Sequence, residues 1–348
     1  MWGFRRSRLP QIFVHVGLPK CGSSSIQAYL ADHDLAHACQ GVVYPSAGRS
    51  PHGYRSHRPL QQVPPGELAG QLEQMAAQAP GARAIVISCE SWADMLPGGI
   101  APALASALDQ VFGARQVTVL AWFRNPVSFL ESAYAQFLLG GLLNVPKPAF
   151  FAPDTPAPDI DRFVTAATQV KGFAPYDYLG WIQALESIFE GMRIVPRSMA
   201  RGDLPQGGLI GDTCRVLGLP VRAVDPRHNT RRSATSLLAL QYAQTQMPPR
   251  VFARQPQLVQ QFELSTAATW GPQDQRHRDL HVGRDLLASL KAQITQDRSA
   301  LERRFATPVE ELLSLPDEAD ALSRRVLDSA EQAEVLDRFQ PQGGAHRG

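Results

Sequence analysis

The chain is 348 residues long and carries a formal net charge of +2, with 44% hydrophobic and 19% charged residues. This length is enough to bury a sizeable core, as one large domain or as one domain with an appendage. A charge balance this close to neutrality argues against a general binder of polyanions, so no nucleic acid is expected as a partner. The four cysteines lie far apart, with no metal or disulfide spacing, as is typical of a reducing cytoplasm: Cys21, Cys39, Cys89 and Cys214.

The first ten residues, MWGFRRSRLP, are basic, but no long apolar run of the signal-peptide type follows them. No later stretch reaches the ~20 apolar residues that a membrane-spanning helix needs. The sequence therefore predicts a soluble, cytoplasmic protein without a transmembrane segment. A peripheral membrane contact through the aromatic and arginine side chains of this segment is a minor alternative: Trp2, Phe4, Arg5, Arg6 and Arg8.

The segment 12–30, IFVHVGLPKCGSSSIQAYL, has the pattern of a strand, a glycine-bounded loop and a helix start. The strand is predicted to end at Gly17, and the helix is predicted to begin at Ser23. Such a turn directs free backbone N–H groups and the positive end of a helix dipole at one point, where an anion, most often a phosphate, binds. The glycines allow the backbone to approach the anion closely, and the serine hydroxyls add donors.

This loop differs from the standard P-loop, G-x-x-x-x-G-K-S/T. Gly17 and Gly22 have the right spacing, but Ser23 stands where the lysine is expected, and the lysine lies inside the loop as Lys20. A lysine at that position would point at the bridging or leaving oxygen of the bound group. The alternative is an ordinary strand–helix turn with an incidental lysine.

Three more apolar runs read as strands, separated by helical patterns. ARAIVISCES (82–91) and QVTVLAWFR (116–124) are the second and third long strands, and MRIVPRSM (192–199) is the next. Strands that alternate with helices predict an α/β fold with a parallel sheet and right-handed crossovers. The strand ends near 17–25, 88–91 and 124–132 should then lie along one edge of the sheet.

The loop PKCGSSS closely resembles the PKxGTTxL loop of sulfotransferases that use 3′-phosphoadenosine 5′-phosphosulfate (PAPS). Serines replace the usual threonines and keep the hydroxyl chemistry. The resemblance implies that Lys20 assists sulfuryl transfer and that the loop holds the 5′-phosphosulfate. The implied donor-binding residues of the loop are Pro19, Lys20, Cys21, Gly22, Ser23, Ser24 and Ser25.

A second motif, RNPVSFLESAYAQF (124–137), resembles the 3′-phosphate motif of the same family, an arginine that ends a strand and a serine eight residues later. Arg124 and Ser132 match it. Ser132 would lie roughly 9 Å up the helix from Pro126, so a long arginine folding back could share one phosphate with the hydroxyl. The alternative is an arginine that caps a neighbouring helix and a serine on the surface.

The order of a tyrosine-rich helix (176–191), a strand and the helix LIGDTCRVLGLP (209–220) is similar to that of bacterial carbohydrate-type sulfotransferases. The resemblance implies a three-layer, P-loop-NTPase-like sheet, PAPS as co-substrate, no metal, and a saccharide or glycolipid as acceptor. The alternatives are a P-loop kinase-like phosphotransferase and a non-catalytic nucleotide-binding protein. Four aromatic residues could stack on sugars or belong to the core: Tyr134, Phe137, Phe150 and Phe151.

Transfer to a hydroxyl needs a base that takes its proton. The candidates, in order, are His52, Glu90 and His57. The two histidines lie in a polar loop, and an unperturbed imidazole is partly charged near neutral pH. Glu90 follows the second long strand close to the expected place of Lys20, and its alternative role is to orient Lys20 or a loop amide. His15, inside the first strand, is expected to be a satisfied core histidine.

The predicted organisation has three parts. Residues 10–225 form the PAPS-binding α/β core, and residues 226–335 form a helical C-terminal extension packed on that core. Residues 336–348 are predicted to be a disordered tail.

Overall fold

The computed structural model describes residues 9–50, 55–96, 98–152, 158–221, 234–246, 282–317 and 327–339. The described strands are β1 Gln11–Gly17, β2 Val42–Val43, β3 Ala84–Ser88, β4 Val117–Phe123 and β5 Arg193–Ser198. They form one sheet in the order β2-β3-β1-β4-β5, and every neighbouring pair is parallel. The predicted α/β class with a parallel sheet is confirmed.

Helices flank this sheet. The described helices are α1 Ser23–Asp32, α2 Asp34–Ala38, α3 Leu68–Ala77, α4 Ser91–Asp94, α5 Ala101–Phe112, α6 Pro126–Gly140, α7 Lys147–Phe150, α8 Ile160–Lys171, α9 Tyr178–Ile188, α10 Gly208–Leu217, α11 Ala234–Gln246, α12 Arg284–Arg304 and α13 Ser329–Phe339. Helix α1 packs against α10, whereas α5 packs against α3 and α9. Two separate groups of helices are what a three-layer arrangement requires, because right-handed crossovers that run in opposite directions along the sheet cover opposite faces.

The chain divides into two compact units, each built from separate segments. The first takes its described residues from Met1–Phe129, Tyr176–His228 and Gln293–Leu315, and the second from Leu130–Pro175, Asn229–Ala292 and Pro316–Gly348. The whole sheet belongs to the first unit. The prediction of one core over residues 10–225 differs from this division, because Leu130–Pro175 belongs to the second unit.

The centre of the first unit is made by β3 and β4. Every residue of both strands is buried. A strand covered on both faces needs apolar side chains at successive positions rather than alternating ones. The continuous runs AIVIS and VTVLAWF meet that need, which is why these strands could be predicted.

The carboxyl ends of β3, β1 and β4 lie side by side at one edge of the sheet, as predicted. The pairing of β1 with β4 shifts register between His15 and Gly17, so the end of β1 bulges away from a regular ladder. A bulge bends its strand and redirects the residues that follow. The loop after β1 starts at this bulge, and Leu18 donates its backbone N–H to the carbonyl of Trp122 at 3.1 Å.

A segment from near the end of the chain covers the outer edge of β5. Ala306 donates its N–H to the carbonyl of Pro196 at 3.0 Å, and the N–H of Ser198 donates to Thr307 Oγ1 at 2.7 Å. Asp203 fixes the same segment, because its carboxylate accepts the N–H of Leu312 at 2.8 Å. An edge strand with unpaired backbone groups invites association, and this segment satisfies part of that edge.

The second unit has an aromatic core around Phe137 of α6, whose ring lies 4.8 Å from that of Phe150 and 4.9 Å from that of Phe163. Tyr134, Phe137, Phe150 and Phe151 are all buried. Of the two predicted roles for these aromatic residues, the structure supports core packing. The stretch 140–175 contains the helices α7 and α8.

The last described helix corrects one prediction. Helix α13 runs to Phe339, past residue 336, where the disordered tail was predicted to begin. The pattern EQAEVLDRF places apolar residues at helical spacing, and α13 packs against α11 in the second unit. None of the described helices is both long enough and apolar enough to cross a membrane. The basic segment with Trp2 and Phe4 lies outside the described residues.

Candidate functional site

The loop after β1 has a backbone conformation that depends on left-handed residues. Gly17 has a φ of +125°, Lys20 of +62° and Gly22 of +80°. Lys20 is the only one of these three with a side chain, and a non-glycine residue in this region is uncommon outside turns and functional sites. The conformation is closed by the N–H of Cys21, which donates to the carbonyl of Leu18 at 3.3 Å.

Gly22 precedes the first residue of α1 and is in close contact with α10. A Cβ atom placed on Gly22 would lie 2.2 Å from Cδ2 of Leu209 and 3.8 Å from Cε of Met199. A glycine is therefore favoured here by its positive φ, and a larger residue would also have to displace the end of the Leu209 side chain. The loop after β1 therefore lies close to α10.

Three successive N–H groups at the start of α1 have no partner in the part of the chain that the structure describes. The backbone N–H groups of Gly22, Ser23 and Ser24 donate no hydrogen bond to another described residue, and no side chain caps this helix. The first bonded amide is that of Ser25, which donates to the carbonyl of Gly22 at 3.0 Å. Open amides at a helix start, joined with the helix dipole, are the features that bind a phosphate or sulfate group.

The serine side chains of the loop differ in their surroundings. Ser23 is buried and its hydroxyl donates to the carbonyl of Leu18 at 3.4 Å, whereas Ser24 and Ser25 are half-buried. Pro19 is buried and Lys20 is half-buried. The predicted loop residues thus lie together at the carboxyl end of β1, where an anion would meet both the open amides and Lys20.

Arg124 lies beside this loop. Cys21 is fully buried, and burial raises the pKa of its thiol to about 12, opposed by the positive charge of Arg124 and by a hydrogen bond with the Arg124 backbone. Such effects act only over short distances. The structure therefore brings together the loop and the predicted arginine, which are a hundred residues apart in the sequence.

Three hydrogen bonds hold the backbone around Arg124. The hydroxyl of Tyr178 on α9 donates to the Arg124 carbonyl. The amide of Asn125 donates to the carbonyl of Leu312 at 3.2 Å, and its Oδ1 accepts the N–H of Ser128 at 3.4 Å. Asn125 therefore caps α6 and ties the end of β4 to the segment that covers β5.

Ser132 is half-buried and lies on α6, eight residues after Arg124. Helix α6 begins in the first unit and ends in the second, and Ser132 belongs to the second. The shared phosphate contact of Arg124 and Ser132 stays a prediction.

A chain of hydrogen bonds at the end of β3 runs from His15 through Ser88 and Gln27 to Glu90. His15 Nδ1 lies 2.8 Å from Ser88 Oγ. Gln27 donates from its amide nitrogen to Ser88 Oγ at 3.1 Å and to Glu90 Oε2 at 2.7 Å. His15 is buried, as expected, and burial lowers its pKa to about 3. The expectation that its ring is satisfied is met at Nδ1 only, because the buried Nε2 has no hydrogen-bond partner among the described residues. Glu90 is half-buried, so its carboxylate lies where this chain of hydrogen bonds reaches the protein surface.

His57 has a structural role. Its Nε2 lies 3.1 Å from the carbonyl of Pro45, and its Nδ1 accepts the N–H of Ser88 at 3.2 Å. The ring is fully buried, and burial lowers its pKa to about 3, partly offset by the bond with Pro45. Because both ring nitrogens are occupied, this imidazole is not placed to take a proton from an acceptor. His52, the first predicted base, lies outside the described residues.

Gln27, Tyr178 and Leu209 belong to this site, and sequence reasoning missed all three. Each acts by contact with a predicted residue from a different element, and nothing in its own neighbourhood marks it. Tyr178 had only the signal of a tyrosine-rich helix, and Gln27 only that of a polar residue on the apolar face of a helix.

We compared the chain with protein-family models, with curated proteins and with solved structures, and none of the three comparisons gave a match. Across the described ranges, no group of three or more His, Cys, Asp or Glu side chains is arranged to hold a metal ion. The expected absence of a metal stays a prediction.

Proposed function

We propose that this protein is a sulfotransferase that moves a sulfuryl group from PAPS to a hydroxyl acceptor, a carbohydrate or glycolipid. The observation that carries the proposal is the position of Arg124 beside a left-handed loop with open amides and Lys20. A nucleotide with a 5′-phosphosulfate and a 3′-phosphate has anionic groups for both. The proposal includes a P-loop-like fold and a cytoplasmic location, since dispersed cysteines suit a reducing compartment.

In the proposed complex, the open amides of Gly22, Ser23 and Ser24 bind the 5′-phosphosulfate at the start of α1. Arg124 takes the 3′-phosphate, because a guanidinium suits bidentate contact with phosphate oxygens. The hydrogen bond of Tyr178 to the Arg124 carbonyl and that of the adjacent Asn125 to the Leu312 carbonyl support this role, since a binding residue must be held in place.

The chemical step forms a bond between the acceptor oxygen and sulfur while the bond from sulfur to the bridging oxygen breaks. The bonding electrons leave with the bisphosphate product, 3′-phosphoadenosine 5′-phosphate, and the acceptor proton passes to a base. Lys20 stabilises the charge that develops on the bridging oxygen. Attacking and leaving oxygens lie in line, as in phosphoryl transfer, so the acceptor approaches from the side opposite Lys20.

Calorimetry with three ligands tests the donor site. The bisphosphate should bind far more tightly than ATP, and more tightly than adenosine 5′-phosphosulfate, which lacks the 3′-phosphate. Equal affinity for ATP would favour a kinase-like phosphotransferase and remove the case for a 3′-phosphate site. A panel of saccharides with radiolabelled PAPS then tests turnover. Binding of the bisphosphate without transfer to any acceptor or to water would indicate a non-catalytic nucleotide-binding protein.

A further inference from the structure

The amide of Gln27 is held in one orientation. Gln27 is completely buried on α1, and its nitrogen has partners in both Ser88 Oγ, at 3.1 Å, and Glu90 Oε2, at 2.7 Å. An amide nitrogen has two hydrogens, and an ionised carboxylate only accepts, so the nitrogen and not the oxygen must face Glu90. Both donors of the amide are then used.

At the other end of the hydrogen-bond chain, His15 and Ser88 prevent the Gln27 amide from rotating. His15 pairs with Ser88 across the β1–β3 register, which brings the two side chains within hydrogen-bond distance at 2.8 Å. Since Ser88 Oγ accepts from Gln27, its own hydrogen is available for His15 Nδ1. His15, Ser88 and Gln27 are all buried, so water does not compete for these bonds.

Glu90 lies against the beginning of the loop after β1. A Cβ atom placed on Gly17 would lie 3.2 Å from the Glu90 carbonyl oxygen and 3.4 Å from its Cα. The Glu90 carboxylate has one oxygen bonded to Gln27, and the side chain is only half-buried. A base needs this combination of a fixed position and access to the substrate.

We propose that Gln27 is a positioning residue that holds Glu90 as the group that accepts the acceptor's proton. This inference rests on the proposed sulfuryl transfer. In the step, the acceptor O–H proton passes to the Glu90 carboxylate as the new O–S bond forms. The bridging S–O bond breaks, and its electrons leave with the bisphosphate. Gln27 touches no substrate and acts only through Glu90.

A double-mutant cycle tests this role. Glu90→Gln should lower kcat by ~10²–10⁴, the usual contribution of a general base. Gln27→Met keeps the length of the side chain without the amide, and it should lower kcat by up to about a hundredfold through misplacement of the carboxylate. In the Glu90→Gln background the same change should have almost no further effect, because the group that it positions is gone. The assay follows labelled sulfate from PAPS to a screened saccharide, or to water as nucleophile.

Two measurements separate positioning from general damage. The KM for PAPS and the affinity for the bisphosphate should stay within about twofold in Gln27→Met, since no donor-binding contact is lost. Gln11→Met is the matched control, because Gln11 also donates to a neighbouring strand, to Thr118 Oγ1 at 3.1 Å, but at the amino end of β1. It should leave kcat unchanged. If Gln27→Met does not fold, Gln27→Asn, which keeps the amide but shortens its reach, should show the same loss and the same non-additivity.

The outcomes are distinct. Full activity in Glu90→Gln, with a dead His52→Ala that still binds the bisphosphate, would overturn the inference and move the base to His52. Equal effects of Gln27→Met with and without Glu90 would also overturn it, while leaving the sulfotransferase proposal intact. A wild-type protein that neither binds the bisphosphate nor releases sulfate from PAPS would overturn both.

Discussion

The hydroxyl of Tyr178 donates a hydrogen bond to the backbone carbonyl of Arg124. This bond joins the first turn of α9 to the end of β4, next to the loop that contains Lys20. Burial raises the pKa of Tyr178 well above its usual value, so the hydroxyl keeps its hydrogen across the pH range in which the protein would be assayed. The position of Arg124 thus depends on a side chain more than fifty residues away.

We expect Tyr178→Phe to weaken binding of the bisphosphate several-fold and to lower the free energy of unfolding by about 1 kcal/mol. The Arg124 carbonyl loses its partner, and the arginine is held less firmly. Calorimetry and urea unfolding measure the two effects. Tyr176→Phe, at a half-buried tyrosine of the same segment, is the control and should change neither. Equal effects of the two variants would show that Tyr178 does not position Arg124.

Lys20→Ala and Arg124→Ala should have opposite signatures. Loss of Lys20 should lower kcat by about 10²–10³, or ~2.7–4 kcal/mol, with little loss of bisphosphate affinity, because its contact strengthens in the transition state. Loss of Arg124 should mainly lower the affinity for the bisphosphate and have little effect on kcat. Steady-state kinetics and calorimetry separate the two. Lys291→Ala and Arg115→Ala, the latter at the amino end of β4, should behave as wild type. Full turnover by Lys20→Ala at saturating PAPS would remove its catalytic role.

Gly22→Ala should weaken bisphosphate binding and lower stability, because the new Cβ meets Cδ2 of Leu209 and the residue keeps a left-handed φ. Adding Leu209→Ala should restore part of the loss, since it removes the obstructing atom. The rest should persist, because the strain of the positive φ remains, at roughly 1–3 kcal/mol. Thermal unfolding and calorimetry on the single and double variants test this. No recovery in the double variant would mean that Leu209 does not limit the loop.

Two buried histidines predict a loss of stability in acid. Burial lowers the pKa of His15 and of His57 from 6.5 to about 3. The unfolded chain therefore binds more protons than the folded chain between these values, and stability falls as the pH falls. The contribution of the neutral imidazoles is complete above about pH 6.5 and is lost toward pH 3. Between pH 7 and pH 5, protonation of each of these histidines in the unfolded chain should lower the free energy of unfolding by about 2 kcal/mol.

Urea unfolding of the wild type and of His57→Gln at both pH values checks this expectation. The variant should be less stable at pH 7, because the bonds of the ring to Pro45 and Ser88 are lost. Its decrease between pH 7 and pH 5 should be smaller by about 2 kcal/mol. Parallel profiles would contradict the assignment of this proton uptake to His57.

The fold could be predicted where its signal is local. β3 and β4 are apolar at every position except Ser88 and Thr118, and α10 ends at Gly218 with the left-handed conformation that a helix C-cap favours. The division into two units could not be predicted in this way. It depends on the pairing of Ala306 with Pro196 and on contacts of Asp203, and no periodicity in the sequence reports a contact between segments so far apart.

The site follows the same pattern. Glycines with a positive φ and a lysine inside the loop mark the turn after β1, because these residue types are selected by the backbone itself. Gln27 and Tyr178 matter because of the residues that they contact. A glutamine or a tyrosine is also common in helices that have no such role, so the sequence alone does not mark them. His57 was a candidate base because its loop is polar. Only its two bonds, to Pro45 and Ser88, reveal that the loop folds inward there.

The segment that covers β5 has a consequence for synthesis of the chain. The first unit includes Gln293–Leu315, so residues up to 315 must leave the ribosome before that unit has all its parts. Domains usually fold as they emerge from the ribosome, the first one first. Here the backbone groups at the edge of β5 stay unpaired until Ala306 and Thr307 have been synthesised. A nascent chain halted before residue 306 should therefore have an exposed strand edge that can pair with another chain.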